Sequence, residues 1–305
     1  MNLLQSWLES LDYEYRILPS CTHYQSPRSS CRECIDQCPE QAIILKDGKP
    51  FIDTVKCTQC SQCIVACPVQ AVEGFLPKRT VENNQLIVSN EDVISLKELL
   101  VYYQKQVTTI VFKHEDVSDE WQHMIKNANE ALSELGEAAF AIQFNKAVEE
   151  TEQTMTRKEL FSFWKKDVKN IAKEMAPAKW RFNQESLNLT KYYPDHQFIE
   201  FSLDTSTCTL CKACEILCPK ACIHLTDTHF TVAPEQCSNC SLCEDICPEQ
   251  AISITSKISP VTPINYLLQE NECTSCEENF KTLDEAEHMC HACRKKNELS
   301  FYNRN

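Results

Sequence analysis

The sequence predicts an α+β chain in which two small cysteine-rich modules flank a small α/β (βαβα) middle domain, with a four-cysteine knuckle at the C-terminus. Three observations carry this. A run of closely spaced cysteines ending in Cys-Pro occurs four times, in two groups separated by a long cysteine-free stretch. Inside that stretch, β-branched strand patterns alternate with helical patterns of period 3.6. Near the end, two C-x-x-C hooks stand apart from the other runs. The resulting division is 1–20, 21–77, 78–200, 201–260 and 261–305.

The first segment, 1–20, opens with Leu3, Leu4, Trp7, Leu8 and Leu11 on one helical face and Glu9 among them. Without a basic stretch before the apolar positions, it reads as an amphipathic helix and not as a signal peptide. The module at 21–77 follows. Its downstream run is regular, Cys57-x2-Cys60-x2-Cys63-x3-Cys67-Pro68. Its upstream run, Cys31-x2-Cys34-x3-Cys38-Pro39, lacks a first cysteine and has Arg28 in its place. Cys21, set off by Thr22–Ser30, is the spare thiol nearby. Ile43–Leu45 and Phe51–Ile52 flank Asp47-Gly48, a hairpin signal, because Gly accepts the left-handed backbone that such turns need.

Residues 78–200 contain no cysteine. Leu86–Val88 is a short strand, and Ser95-x2-Glu98 is a capping box ahead of Leu99, Leu100 and Tyr103. Val107–Lys113 is strand-like. A helix starts at Ser118 with Trp121, Ile125, Ala128, Leu132 and Leu135 in register, and Gly136 stops it. Ala139–Phe144 is another strand. Thr156-x2-Glu159 caps a third helix, with Leu160, Trp164, Val168, Ile171 and Met175 on one face and Pro177 beyond its end. The alternation predicts parallel strands, and the apolar faces read as core. His114 and His123 have no metal-spaced companion and read as surface or packing residues.

The module at 201–260 carries two complete runs: Cys208-x2-Cys211-x2-Cys214-x3-Cys218-Pro219 and Cys237-x2-Cys240-x2-Cys243-x3-Cys247-Pro248. It repeats the first module, since Cys38-Pro-Glu-Gln-Ala-Ile43 recurs letter for letter as Cys247-Pro-Glu-Gln-Ala-Ile252. Soft thiolates in three-plus-one spacing select iron–sulfur clusters over zinc, which needs neither the middle cysteine nor the trailing proline. These runs resemble those of bacterial two-cluster [4Fe–4S] ferredoxins, and the chain as a whole resembles a polyferredoxin-type iron–sulfur protein. The resemblance covers the two modules, about a third of the chain, and implies ferredoxin-like dicluster folds that exchange their fourth ligands. In the second module it implies Cys208, Cys211, Cys214 and Cys247 on one cluster, and Cys237, Cys240, Cys243 and Cys218 on the other. In the first it implies Cys57, Cys60, Cys63 and Cys38 on one cluster. Cys21, Cys31, Cys34 and Cys67 then hold the remaining one, with Cys21 as a looped-out ligand; the alternative is a three-cysteine site with a [3Fe–4S] cluster or a labile iron. Cys222, aligned with Ala42, reads as a small buried hydrophobe.

The tail at 261–305 has Cys273-x2-Cys276 and Cys290-x2-Cys293. This resembles a zinc ribbon or knuckle pair, in which two C-x-x-C hooks close a tetrahedral thiolate site. Zinc is the expected ion; iron, a redox dithiol pair and no metal are the alternatives.

Composition narrows the function. The formal charge is −14 and the pI about 5.1, which argues against nucleic acid as a partner and suits docking on a basic patch of another protein. Twenty-one cysteines in a chain of this length, without a signal peptide, point to a reduced cytoplasmic setting. No stretch approaches a membrane span. The three glycines, Gly48, Gly74 and Gly136, are too far apart for a dinucleotide fingerprint or a phosphate loop. The expectation is an electron-transfer protein with four [4Fe–4S] clusters in two pairs and one Zn2+. It would act as a carrier or as an accessory subunit beside a reductase or dehydrogenase catalytic subunit. Whether it is itself an enzyme stays open: an iron–sulfur enzyme with an unrecognised site and a redox- or iron-responsive regulator using the tail are the other classes.

Overall fold

The computed structural model describes residues 15–74, 76–77, 79–144 and 187–302. The helix expected in the N-terminal segment and the third helix of the middle domain lie outside the described residues. The chain divides into two compact units, 1–19 with 32–192 and 20–31 with 193–305.

In the first unit, β1 (Arg16–Ile17) pairs antiparallel with β4 (Val72–Glu73), and β2 (Ile43–Lys46) with β3 (Lys49–Ile52). The β2–β3 turn places Asp47 at φ 51° and Gly48 at φ 75°, the left-handed pair expected from Asp-Gly. Two short helices, α1 (Glu33–Asp36) and α2 (Gln62–Ala66), follow cysteine-rich loops. Gly74 is fixed by packing: a Cβ there would sit inside the Tyr15 ring and 2.7 Å from Ile64 Cδ1.

The same unit contains a four-stranded sheet in the order β5-β6-β7-β8 (Thr80–Glu82, Gln85–Val88, Thr109–Phe112, Ala141–Phe144). The three later strands are parallel, while β5 is antiparallel to β6 through Asn83-Asn84, both at positive φ. Strand β5 carries no alternation of burial, since all three residues are exposed, and the sequence therefore does not announce it. Helix α3 (Leu96–Gln104) begins where Ser95 Oγ accepts from the Glu98 N–H, and α4 (Asp119–Glu134) where Ser118 Oγ accepts from the Trp121 N–H. The Glu98 carboxylate leaves the capping-box role for a two-point contact with Arg79 at 3.1 and 3.2 Å. On α4, Trp121, Ala128 and Leu132 are buried; Trp121 meets Phe112 edge-on at 5.3 Å and donates its indole N–H to the Ser89 carbonyl. Gly136 ends the helix at φ 76°. His114 and His123 are exposed.

α5 (Leu189–Tyr192) ends the first unit. The second opens its sheet work with β9 (His196–Leu203), which starts inside the segment expected as middle domain and pairs antiparallel with β12 (Ile252–Pro260). Its alternate residues Gln197, Ile199, Phe201 and Leu203 are buried. Short helices α6 (Ala213–Ile216) and α7 (Leu242–Ile246) again follow cysteine loops. Strands β10 (Ile223–Leu225) and β11 (His229–Val232) form the second hairpin. Lacking glycine, its turn is held by Thr226 Oγ1, which accepts from the Thr228 and His229 N–H groups. A third strand, β13 (Ile264–Leu267), pairs with β11 and lays Tyr266 on Phe230. β14 (Gln269–Glu272), β15 (Asn279–Thr282) and α8 (His291–Tyr302) form the tail. Among the described residues, no helix is long and apolar enough to cross a membrane.

Candidate metal centres

The backbone of the cysteine runs is built the same way each time. In the regular runs, the residues on either side of the second cysteine are left-handed: Gln59 and Ser61, Leu210 and Lys212, Asn239 and Ser241. None is glycine, so each stores conformational strain that the surrounding structure must hold, a pattern typical of functional sites. A further left-handed residue follows every Cys-Pro: Gln41, Gln70, Ala221 and Gln250. That turn aims the next N–H back at the cysteine sulfur. Ala42, Ala71, Cys222 and Ala251 donate to Cys38, Cys67, Cys218 and Cys247 Sγ at 3.2, 3.1, 3.4 and 3.2 Å.

Among the described residues, three cavities each gather four of the predicted ligand cysteines. In the second unit, Cys208, Cys211, Cys214 and Cys247 line one of about 440 Å³, walled by Leu225, Phe230 and Ile252. Cys218, Cys237, Cys240 and Cys243 line another of about 420 Å³, walled by Phe201, Val232 and Ile254. In the first unit, Cys38, Cys57, Cys60 and Cys63 line one of about 340 Å³ beside Tyr15, Ile43 and Ile52. Each cavity takes three of these cysteines from one run and the fourth from the other. Of the remaining predicted residues, Cys34 and Cys67 belong to the first unit, and Cys21 and Cys31 to the second. Within 20–31, His23 Nε2 lies 2.7 Å from the Cys31 carbonyl and Ser29 Oγ donates to Thr22 Oγ1 at 2.8 Å, so the loop between Cys21 and Cys31 is closed on itself. Ser30 anchors it, donating its N–H and hydroxyl to the Asp245 carboxylate on α7, both at 2.7 Å.

The donor sets fit a cationic metal group. Burial and neighbouring cysteines push the Cys63 and Cys214 thiols up to about 12, and burial pushes Cys240 up to about 11. Four such groups cannot all ionise together in an apolar cavity unless a bound cation neutralises them. The cysteines are also part of the core: Cys208, Cys214, Cys218, Cys237, Cys243 and Cys247 pack on the cluster formed by Ile199, Phe201, Ile223, Phe230 and Ile252.

Two residues near the cysteine runs escape sequence reasoning. Cys222 is buried, as expected of a packing residue, yet it also lines the Cys218 cavity. Its backbone N–H donates to Cys218 Sγ at 3.4 Å, and with Cys222 beside them the Cys218 thiol is held down at about 5 and Cys237 is also lowered. The same neighbours and burial push the Cys222 thiol up. Lys97, on α3, donates Nζ–H to the Val65 and Cys67 carbonyls at 3.1 and 3.3 Å, tying the α/β sheet region to the end of α2. The signal for Cys222 is its place in Cys-Pro-x-x-Cys where the other three runs have Ala; Lys97 leaves no such signal.

In the tail, Cys273 and Cys276 sit in the turn between β14 and β15, and Cys290 and Cys293 at the start of α8. All four sulfurs lie within 4.8 Å of one another, with Cys276 and Cys290 at 3.9 Å. Zinc–thiolate bonds of about 2.3 Å in a tetrahedron require sulfur spacings of roughly 3.8 Å, close to that of the Cys276–Cys290 pair. Glu277, at φ 61°, makes the turn that a glycine would otherwise supply. The Cys290 N–H donates to Cys273 Sγ at 3.3 Å and holds that thiol down at about 6, ready to ligate.

A family model described as a 4Fe-4S dicluster domain matches residues 29–72, and one described as a 4Fe-4S binding domain matches residues 230–253. No curated protein matches the chain. The chain thus contains two 4Fe–4S ferredoxin-type regions within a mixed helix and sheet structure. Cys21 lies outside the matched residues.

Proposed function

We propose that this chain is a cytoplasmic electron-transfer protein that carries four [4Fe–4S] clusters in two pairs and one structural Zn2+. It serves as a carrier or as the accessory electron-transfer subunit of a larger oxidoreductase. Iron–sulfur domains point to electron transfer in general. The observation that carries the finer reading is the recurrence of an apolar cavity lined by four predicted ligand cysteines, three from one run and one from the other, with Cys222 as a fifth cysteine in one of them. Ligand sets follow as Cys208, Cys211, Cys214 and Cys247; Cys237, Cys240, Cys243 and Cys218; and Cys57, Cys60, Cys63 and Cys38. The fourth set is Cys21, Cys31, Cys34 and Cys67. Cys273, Cys276, Cys290 and Cys293 hold the zinc.

Bound clusters supply one-electron chemistry. The chain's part is to hold thiolates at fixed positions, keep water from the sulfurs with Phe201, Phe230 and Ile252, and aim backbone N–H groups at Sγ. These are the features that set a potential. An acidic chain suits a redox partner, such as a reductase or dehydrogenase catalytic subunit, that presents a basic docking patch.

The test is the metal content of protein purified without oxygen, with EPR spectra of oxidised and reduced samples. About sixteen irons with matching sulfide and one zinc per chain is the expected result. Zinc throughout with no sulfide overturns the proposal. About twelve to fifteen irons with a [3Fe–4S] signal replaces the Cys21 set with a three-cysteine site.

A further inference from the structure

Every cysteine run carries one residue midway between its last two cysteines: Asp36, Val65, Ile216 and Asp245, on the short helices α1, α2, α6 and α7. Four residues further on, after each Cys-Pro, stand Glu40, Val69, Lys220 and Glu249. Two of these places are covered by the chain itself, and each cover matches the chemistry beneath it. On α2, Val65 and Val69 are buried, and Val65 packs with Val101 and Leu187. On α7, Asp245 accepts the Ser30 N–H and hydroxyl at 2.7 Å, and Glu249 meets Lys295 at 3.4 Å. On α1, the exposed Asp36 is served by Arg32 of the preceding turn at 3.2 Å. Helix α6 breaks the pattern. Ile216 is 74% exposed, and no described residue covers it. Lys212 and Lys220 stand four residues to either side, and among the described residues neither has an ion pair. The acidic groups near them are engaged: Glu215 accepts from the Leu225 N–H at 2.9 Å, and Asp227, in the field of Lys212, binds Lys281 at 2.9 Å.

From this we infer that Ile216, Lys212 and Lys220 form a docking site for a partner protein that presents an apolar pocket rimmed by carboxylates. The occupant follows from complementarity: Ile216 calls for an apolar cover, as Val65 does, and the two lysines call for anions, as Glu249 calls for Lys295. A second copy is a poorer occupant, since a two-fold contact would set these lysines against each other. The chain is acidic overall, with a formal charge of −14, so this face is a local reversal of its sign. An acidic partner is repelled elsewhere and is thereby held to one orientation. Lys212 lines the Cys208 cavity and Lys220 the Cys218 cavity, so the site borders both cysteine quartets of the second unit. The role of the contact, though not the contact itself, rests on the cluster reading above: one electron passes here between module and partner, one being oxidised as the other is reduced, and no bond or proton changes place.

The test is carbodiimide cross-linking of the full chain, purified without oxygen, to an acidic flavodoxin as the probe of that chemistry. Cross-linked lysines are mapped by mass spectrometry at low salt, with iron, sulfide and the mass in solution measured on each sample. The variants are Ile216→Asp and Lys212→Glu. Aspartate is what two of the four runs already carry at this place, so folding is expected to survive. In the parent, cross-links should concentrate at Lys212 and Lys220. Ile216→Asp should lower the yield at both lysines about tenfold although both remain, and Lys212→Glu should lower the yield at Lys220 in the same sense. Cross-links spread evenly over the exposed lysines overturn the inference, and so does a yield at Lys220 that neither variant changes. A parent dimer that Ile216→Asp dissociates assigns this face to a second copy and also overturns it. Full iron without cross-links at the site strikes the docking inference alone. Cross-links at the site on a parent without iron and sulfide leave the docking site standing and remove the cluster reading with its electron transfer.

Discussion

Gly74 shows how closely the first module is packed at the scale of a single atom. It is glycine because the Tyr15 ring and Ile64 occupy the place of a Cβ, and the Tyr15 hydroxyl in turn meets Ser61 Oγ at 3.1 Å inside the cysteine loop. Gly74→Ala should therefore destabilise the module by about 1–3 kcal/mol through overpacking. A lowered thermal midpoint of the iron-loaded protein checks this, and an unchanged midpoint would mean that Tyr15 can swing away without loss. The contrast with Gly48 is instructive. Gly48 has nothing within 4 Å of its missing Cβ and is there for its left-handed backbone. The Asp-Gly pair is legible in the sequence because the requirement is local, whereas the need for Gly74 comes from a residue far away along the chain.

Among the elements, α4 was the most legible and carries the largest anchor. Its apolar spacing, Ser118 cap and Gly136 stop are all local signals, and each appears in the structure. Trp121 is fully buried against Phe112 and bonded to Ser89, so Trp121→Ala should cost about 3–5 kcal/mol. The expected outcome is an early thermal transition by circular dichroism with iron content unchanged. Loss of iron in proportion would instead mean that the α/β sheet and the first module fold as one, through Lys97 and the Val65–Val101 contact. Elements without a local signal were harder to read. Strand β5 is exposed throughout, and β13 declares itself only by joining the edge of β11. Edges are completed by whatever strand the tertiary fold brings to them.

For the whole molecule, stability should divide between apolar core and metal. The four-stranded sheet is filled by Leu86, Ile110, Phe112 and Leu132, all nearly inaccessible to solvent, while the second unit's core is partly made of cysteines. Removal of iron and sulfide under reducing conditions should thus open the cysteine modules and leave the sheet protected. Hydrogen exchange resolves the two: retained protection in β6 and β7 beside lost protection in β9 and β12 is expected. Equal protection before and after would make the clusters cargo and not core. Acid acts in the same sense at the tail, because protons compete with the metal for Cys273 and its partners, so zinc retention falls as pH falls.

The sequence by itself determined the 4Fe–4S ferredoxin-type character of the cysteine modules. Thiolate spacing, the Cys-Pro endings, the internal repeat and the hairpin turns are short-range features, and short-range features survive in a linear reading. Tertiary structure alone decided which apolar side chains close each cavity, that residues 20–31 group with the second unit, and that Cys222 lines the Cys218 cavity. Each of those depends on contacts between residues distant in the chain or on the direction a buried side chain takes, and neither periodicity nor composition encodes them.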